Sequence, residues 1–350
     1  MMNCSMFSYL CIAVVATMSC RAELGWTRIG GGRWNDFAGW DAKQVPSAVD
    51  SVFHTRCGGE LVVDAPASMH DLSISHNDTA VLRVVEGGHL SAAGTVEVGN
   101  AGVNGVGRLQ VDGGDLRISG DLEVAKFGNA RQGFGVLNSG RVTVAGKTYL
   151  GSCNRAPGTV SINGGTWVQE GGTFNVARVG DGTLNMNGGT LHISSPERNP
   201  LRIGSYATGN AIINLNAGEI YTPGVMMNIG DSEDEGVSTI NLNGGLLQIE
   251  GDSEALRMGD KAQIMFGAGV LRWKGDRIQE LTVLIEEGRV SWPAGGASKQ
   301  PECWDASWLN ADGTALLYVD FNTVNAGYTT VWACAVLPPE TLGLIIASVD

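Results

Sequence analysis

An all-β chain, wound as a parallel β-helix with a cap at each end, is what the sequence predicts. Three observations carry the prediction. The 350 residues include 51 Gly but only 10 Pro, in a background of Val, Leu, Ile, Thr and Asn that suits short strands joined by tight turns. The phrase TLNMNGGTLHI at 183–193 returns almost unchanged as TINLNGGLLQI at 239–249. Around each copy apolar and polar residues alternate with period two, as a strand with one wet face requires.

Aligned on its glycines, the phrase becomes a ladder: RVVEGGHLSA, LQVDGGDLRI, GVLNSGRVTV, VSINGGTWVQ, LNMNGGTLHI, INLNAGEIYT and INLNGGLLQI. The last glycines are Gly88, Gly114, Gly140, Gly165, Gly189, Gly218 and Gly245, in steps of 26, 26, 25, 24, 29 and 27 residues. A period of that length marks a solenoid. A weaker eighth copy, IMFGAGVLRW, follows at Gly269. Two residues past the last glycine stand Leu90, Leu116, Val142, Trp167, Leu191, Ile220 and Leu247, the expected inward column. Just before them come His89, Asp115, Arg141, Thr166, Thr190, Glu219 and Leu246, the expected outward column. Ahead of the glycines stand Glu86, Asp112, Asn138, Asn163, Asn187, Asn216 and Asn243. Asn tolerates the left-handed backbone region and Gly adopts it freely, so the pair is expected to turn a corner. Stacked Asn side chains are expected to hydrogen-bond from coil to coil.

A second landmark, apolar residue then Gly then a short polar residue, recurs at Val98-Gly99, Phe127-Gly128, Leu150-Gly151, Val179-Gly180, Ile203-Gly204, Ile229-Gly230 and Met258-Gly259. Each period then holds three short strands, the plan of a parallel β-helix. With parallel neighbours roughly 4.8 Å apart, about eight coils between Leu61 and Trp273 make a rod on the order of 40 Å long. Right-handed winding is expected, as in most β-helices with coils of this length.

The remaining parts follow in order. Residues 1–22 read as an export signal: an apolar run, MFSYLCIAVVATM, then SCRA with Ala22 before the cut. Residues 23–60 form an amino-terminal cap with Trp26, Trp34 and Trp40, large rings suited to covering the first coil and also candidates for stacking on a sugar. Residues 61–274 are the repeats. Residues 275–336 look like hairpin-rich β structure with Asp-Gly and Ala-Gly turns, a carboxyl cap or small β module. Residues 337–350 form a tail.

Of seven Cys, Cys4, Cys11 and Cys20 fall in the leader. Cys57 and Cys153 are more than three coils apart, roughly 15 Å along the rod, beyond the ~7 Å that a disulfide spans. Cys303 and Cys334 share the terminal module and are the candidate bridge.

Charge limits the partners. With 36 acidic against 23 basic residues and no basic stripe, nucleic acid is disfavoured and not expected as a partner, since duplex affinity rests on clustered Lys and Arg. An anionic membrane surface is disfavoured for the same reason, and no membrane span is expected beyond the signal. Outward Asp115 beside Arg141 reads as a surface ion pair. The acidic loop GDSEDEG at 230–236 offers Asp231, Asp234 and Glu235, near Asp260 of the next coil, as Ca²⁺ ligands. Hard cations need six or more fixed oxygens, so the plainer reading is a solvated acidic loop and no cofactor is expected. His54, Cys57, His70 and His76 match no compact zinc pattern, and no nucleophile elbow or phosphate loop is present.

These residues resemble the Gly- and Asn-rich, autotransporter-associated-type repeat proteins of Gram-negative bacteria, especially Planctomycetes and Verrucomicrobia relatives. The repeats are similar to that family's GTLTLNGGTL form, GGRWNDFAGWDAKQVPSAVDSVF to its mature start, and NADGTALLYVDFNTVNAGYTTVWACAV to its closing segment. VLPPETLGLIIASVD resembles the start of a PEP-CTERM sorting tail, but Pro338-Pro339-Glu340 departs from its order and the apolar run is far short of about 20 residues. The resemblance implies an exported, Gram-negative-type surface, periplasmic or extracellular scaffold or adhesin-like protein that is not an enzyme, with an extracellular polysaccharide as the compatible partner. The competing expectation is a polysaccharide-active β-helix enzyme, a lyase or glycoside hydrolase, or a carbohydrate-binding module. An enzyme requires a groove where carboxylates from adjacent coils converge.

Overall fold

A strand of three residues buries little alone, and this chain stacks it instead. The computed structural model describes residues 22–54, 59–74, 79–99, 105–126, 132–153, 156–204, 209–229, 236–293 and 304–336. Strands Glu23–Gly25, Ser51–His54, Leu72–Ile74, Val96–Val98, Leu122–Val124, Thr148–Leu150, Phe174–Val176, Leu201–Ile203, Val225–Met227 and Leu256–Met258 pair in parallel, each with the next. They make the first face. Ile74, Val98, Val124, Leu150, Val176, Ile203 and Met227 fall in register on its inner side, all fully buried.

The second and third faces are the strands on either side of the glycine corner. Strand Gly182–Ile193 runs through that corner: one half pairs with Gly158–Ile162, the other with Thr166–Gln169, and both with Ala211–Thr222 on the far side. The result is a parallel β-solenoid of about nine turns, in agreement with the expected fold class. Leu184, Met186, Leu191 and Ile193 point into the core, so the repeated phrase is one rung of a ladder. Leu90, Leu116, Val142, Trp167, Leu191, Ile220 and Leu247 stand in register one upon another, as the alternation predicts.

At the corner the labour is divided more sharply than the sequence suggests. Asn does not take the left-handed backbone; Gly140, Gly165, Gly189, Gly218 and Gly245 do, with φ between +67° and +86°. Ser139 and Ala217 fill the first position with ordinary backbone and leave the turn to Gly140 and Gly218, whereas in the first two coils the left-handed residue is the first glycine, Gly87 (+80°) or Gly113 (+94°). The Asn side chains stack instead. Asn138 donates to Asp112 (2.6 Å), Asn163 to Asn138 (2.7 Å), Asn187 to Asn163 (2.9 Å), Asn216 to Asn187 (2.8 Å) and Asn243 to Asn216 (2.8 Å). A second, shorter ladder joins Asn241 to Asn214 (2.8 Å) and Asn214 to Asn185 (2.9 Å).

The second landmark needs a correction. Gly99, Gly151 and Gly204 do end first-face strands with φ of +75°, +63° and +69°. In the alternate coils that corner is Ala125, Ala177 and Asn228, at +64°, +59° and +44°, so Gly180 is not the equivalent, while Gly128 and Gly230 lie outside the described residues. Left-handed backbone costs an L-residue roughly 1–2 kcal/mol. It is held here by the ladder: Ala125 N–H donates to the Val98 carbonyl (2.7 Å) and Asn228 N–H to that of Ile203 (2.8 Å).

Crowding at this corner reaches the next strand. Its first inward residue is always small: Ala80, Gly107, Gly133, Gly158, Gly182, Ala211, Ser238 and Ala262 succeed one another in register. A Cβ added at Gly182 would lie 2.1 Å from the backbone nitrogen of Ala177.

Both ends differ from the expected boundaries. The ladder begins before residue 61, because Glu23–Gly25 pairs with Ser51–His54 and Gly32–Arg33 with Leu61 and Val62. The Trp-rich segment is thus itself part of the first turn. At the other end LTVLIEE is not a strand: α1, Ile278–Glu286, occupies it, with Leu281 fully buried and Ile278, Leu284 and Ile285 packed on the core. That spacing is helical, and the β-branched residues concealed it. Val290–Ser291 then rejoins the parallel ladder beside Ile264 and Met265. Strands Ala306–Leu309, Ala315–Phe321 and Tyr328–Ala335 form an antiparallel meander whose last strand pairs with Val270–Lys274 and closes an open edge. No helix among the described residues is long and apolar enough to cross a membrane. Residues 1–21 of the expected 1–22 leader and the tail at 337–350 lie outside the described residues.

Candidate functional site

The residues singled out from sequence scatter. Asp231, Asp234 and Glu235 lie outside the described residues. Asp260 is almost fully exposed and pairs with Arg289 at 3.0 Å. Arg289 also pairs with Glu287 (3.0 Å) and donates to the Met258 carbonyl, so this group seals the last first-face strand. Among the described residues no three His, Cys, Asp or Glu side chains gather as a metal set.

Trp26, Trp34 and Trp40 offer no sugar platform, since they are 0%, 1% and 0% exposed. Trp40 packs edge-on against both partners at centroid distances of 5.1 Å, and its Nε1 donates to the Trp34 carbonyl (2.9 Å). The rings cover the first turn. Cys334 is buried in the closing strand, with its thiol pushed up by burial, and Cys303 lies outside the described residues, as do Cys57 and His76. His54 points inward among apolar residues, and burial holds its imidazolium below the ordinary value against backbone hydrogen bonds at Gly59 and Val81. Asp115 pairs with His89 (3.0 Å), the neighbour on the preceding coil, rather than with Arg141, whose Nε donates to Thr143 (3.4 Å).

Carboxylates from adjacent coils do meet on the outer side of the first face. Glu97 and Glu123 are register neighbours on Val96–Val98 and Leu122–Val124. Between them lies Lys126, bonded to Glu97 and 3.1 Å from Glu123. Burial alone would lower this ammonium, but its hydrogen bonds to Glu97 and Glu123 outweigh that and hold it above the ordinary value. Toward the amino end the same face opens into a cavity of about 330 Å³ lined by Glu23, Ser51, Phe53, Asp71, Ser73 and Glu97. Asp71 is desolvated, yet hydrogen bonds from Thr95 N–H (2.8 Å) and His70 keep its carboxyl below the usual range. Toward the carboxyl end the outward column becomes Tyr149, Asn175 and Arg202, with Arg178 stacked 4.8 Å over the Tyr149 ring.

Sequence reasoning missed this row because it followed the column after the glycines. Period-two alternation in VEV, LEV, TYL, FNV and LRI marks the same outward position in each coil and would have found it. Comparison with known protein families, with curated proteins and with solved structures finds no match.

Proposed function

We propose that the chain is an exported, non-enzymatic β-helix that serves as a surface scaffold or adhesin-like module, as the autotransporter-associated repeat resemblance implies. The observation that carries this reading is the use made of outward polar groups: they hold coil to coil. Lys126 ties Glu97 to Glu123, Arg83 ties Glu60 (3.2 Å) to Asp112, and Arg117 reaches Glu170 (3.1 Å) across 53 residues. Such pairs are worth little singly, but with the Asn ladder they run through successive coils. Lys126, its pKa raised, is a poor general base near neutral pH. The test is a panel of uronate, sulfated and neutral polysaccharides assayed for lyase absorbance and reducing ends. No turnover is expected, and cleavage of any one overturns the reading.

A polysaccharide-active enzyme is the second reading. What favours it is the registered pair Glu97 and Glu123 beside an open cavity. If turnover appears, Glu97→Gln and Glu123→Gln should each abolish it while leaving the melting temperature nearly unchanged.

A further inference from the structure

Where the third face meets the terminal meander, the outward residues change character. His192, Tyr221, Gln248 and Arg272 stand in register on successive coils, and Thr330 of the closing strand lies across from Arg272. Tyr328, on that same strand, is the neighbour of Lys274. Each phenol is tethered at its tip: Tyr221 donates to Glu219 (2.7 Å), and Tyr328 lies 2.9 and 3.0 Å from the two oxygens of Glu250. Gln248 also donates to Glu250 (2.5 Å). Both rings are half-buried at a sheet surface rather than in the core. Arg272 Nε is shut off from solvent and has no hydrogen-bond partner.

Rings fixed on a sheet surface, with amide, carboxylate and guanidinium groups between them, match the two-sided chemistry of a sugar. Its C–H face stacks on an aromatic ring, and its hydroxyls exchange hydrogen bonds around the rim. Charge selects among sugars: Arg272 and Lys274 balance Glu219 and Glu250 locally, while the whole chain carries a net charge of −13 that repels a polyanion. We propose that Glu219, Tyr221, Gln248, Glu250, Arg272 and Tyr328 form a binding site for an uncharged polysaccharide. The site deepens the adhesive part of the scaffold reading and rests on it only for exposure to extracellular glycan.

The test uses the full chain in retention assays on insoluble cellulose, β-1,3-glucan and chitin, with alginate and a sulfated polysaccharide as anionic probes. At least one uncharged matrix should retain the protein. Tyr221→Ala and Arg272→Gln should each weaken retention tenfold or more at unchanged far-UV spectrum. Tyr328→Phe, which removes only the hydroxyl, should weaken it less than Tyr328→Ala, and this pair decides the matter if Tyr221→Ala fails to fold. Tyr149→Ala, on the first face, should change nothing. The site is overturned by absent retention on all uncharged matrices, by preference for the anionic probes, or by an equal loss in Tyr149→Ala. Retention accompanied by cleavage would refute the non-enzymatic reading and leave the site standing.

Discussion

Replacing Gly182 by Ala separates two explanations of why this chain is so rich in glycine. Gly182 sits in the small inward column with ordinary, not left-handed, backbone. If glycine stood there only as a neutral turn-former, alanine would stabilise by roughly 0.5–1 kcal/mol through a less flexible unfolded chain. The structure reverses the sign. The added Cβ would meet the nitrogen of Ala177 at 2.1 Å and its Cα at 2.7 Å, and the same site in three earlier coils meets the corner nitrogens of Gly99, Ala125 and Gly151 at 2.4 Å. These are backbone atoms of a hydrogen-bonded ladder, so relief requires the coil to shift, which costs about 1–3 kcal/mol. Ala177→Gly relaxes the left-handed corner but leaves those atoms in place, so it should not rescue Gly182→Ala. Urea unfolding followed by circular dichroism measures the change. A midpoint equal to or above that of the parent chain would refute the steric account of the column.

Two further outcomes follow from the ladders and from the buried histidine. Asn187→Ala removes one hydrogen bond to Asn163 and one from Asn216, and should cost about 1–2 kcal/mol, whereas Asn243→Ala, with one ladder bond, should cost about half as much. Urea midpoints compare them, and equal losses would deny a ladder. His54 is held below its ordinary pKa when folded, so the unfolded chain takes up a proton near pH 6.5 that the folded chain does not. Its contribution to stability is present above about pH 6.5 and is lost as pH falls below it. The melting temperature should therefore fall more between pH 7.5 and pH 5.5 in the parent chain than in His54→Leu. Asp71 and Asp112, held below their ordinary values, lose their contributions only below about pH 4 and do not enter that comparison.

The repeated part of the fold was legible because alternation and a fixed period both report stacking. Inward Leu191 and outward Thr190 are distinguishable from sequence alone, and the Asn ladder follows from a column of identical side chains. What escaped was whatever the stacking imposes without a sequence signature. Ala125 and Ala177 occupy left-handed corners where Gly is expected, since neighbouring coils hold the backbone in place. The helix α1 escaped because a nine-residue helical pattern is short and this one is rich in β-branched residues. For the site, Glu97 and Lys126 are 29 residues apart, and only the register of the first face brings them together. Trp26, Trp34 and Trp40 are buried within the first turn and present no stacking platform, and aromatic spacing does not tell which face of a ring is covered.

The central claim is that the recurring phrase is a rung whose register, one coil on the next, is fixed along the rod. Oxidative cross-linking tests it most directly. Thr166 and Thr190 are register partners on adjacent coils and face outward, and partners in a parallel pair lie roughly 5 Å apart, within disulfide reach. The double variant Thr166→Cys with Thr190→Cys should form that bridge under mild oxidation, seen by peptide mapping. The pair Thr166→Cys with His192→Cys, two residues out of register, should not. Efficient bridging of the offset pair, or none of the registered pair, would contradict the account.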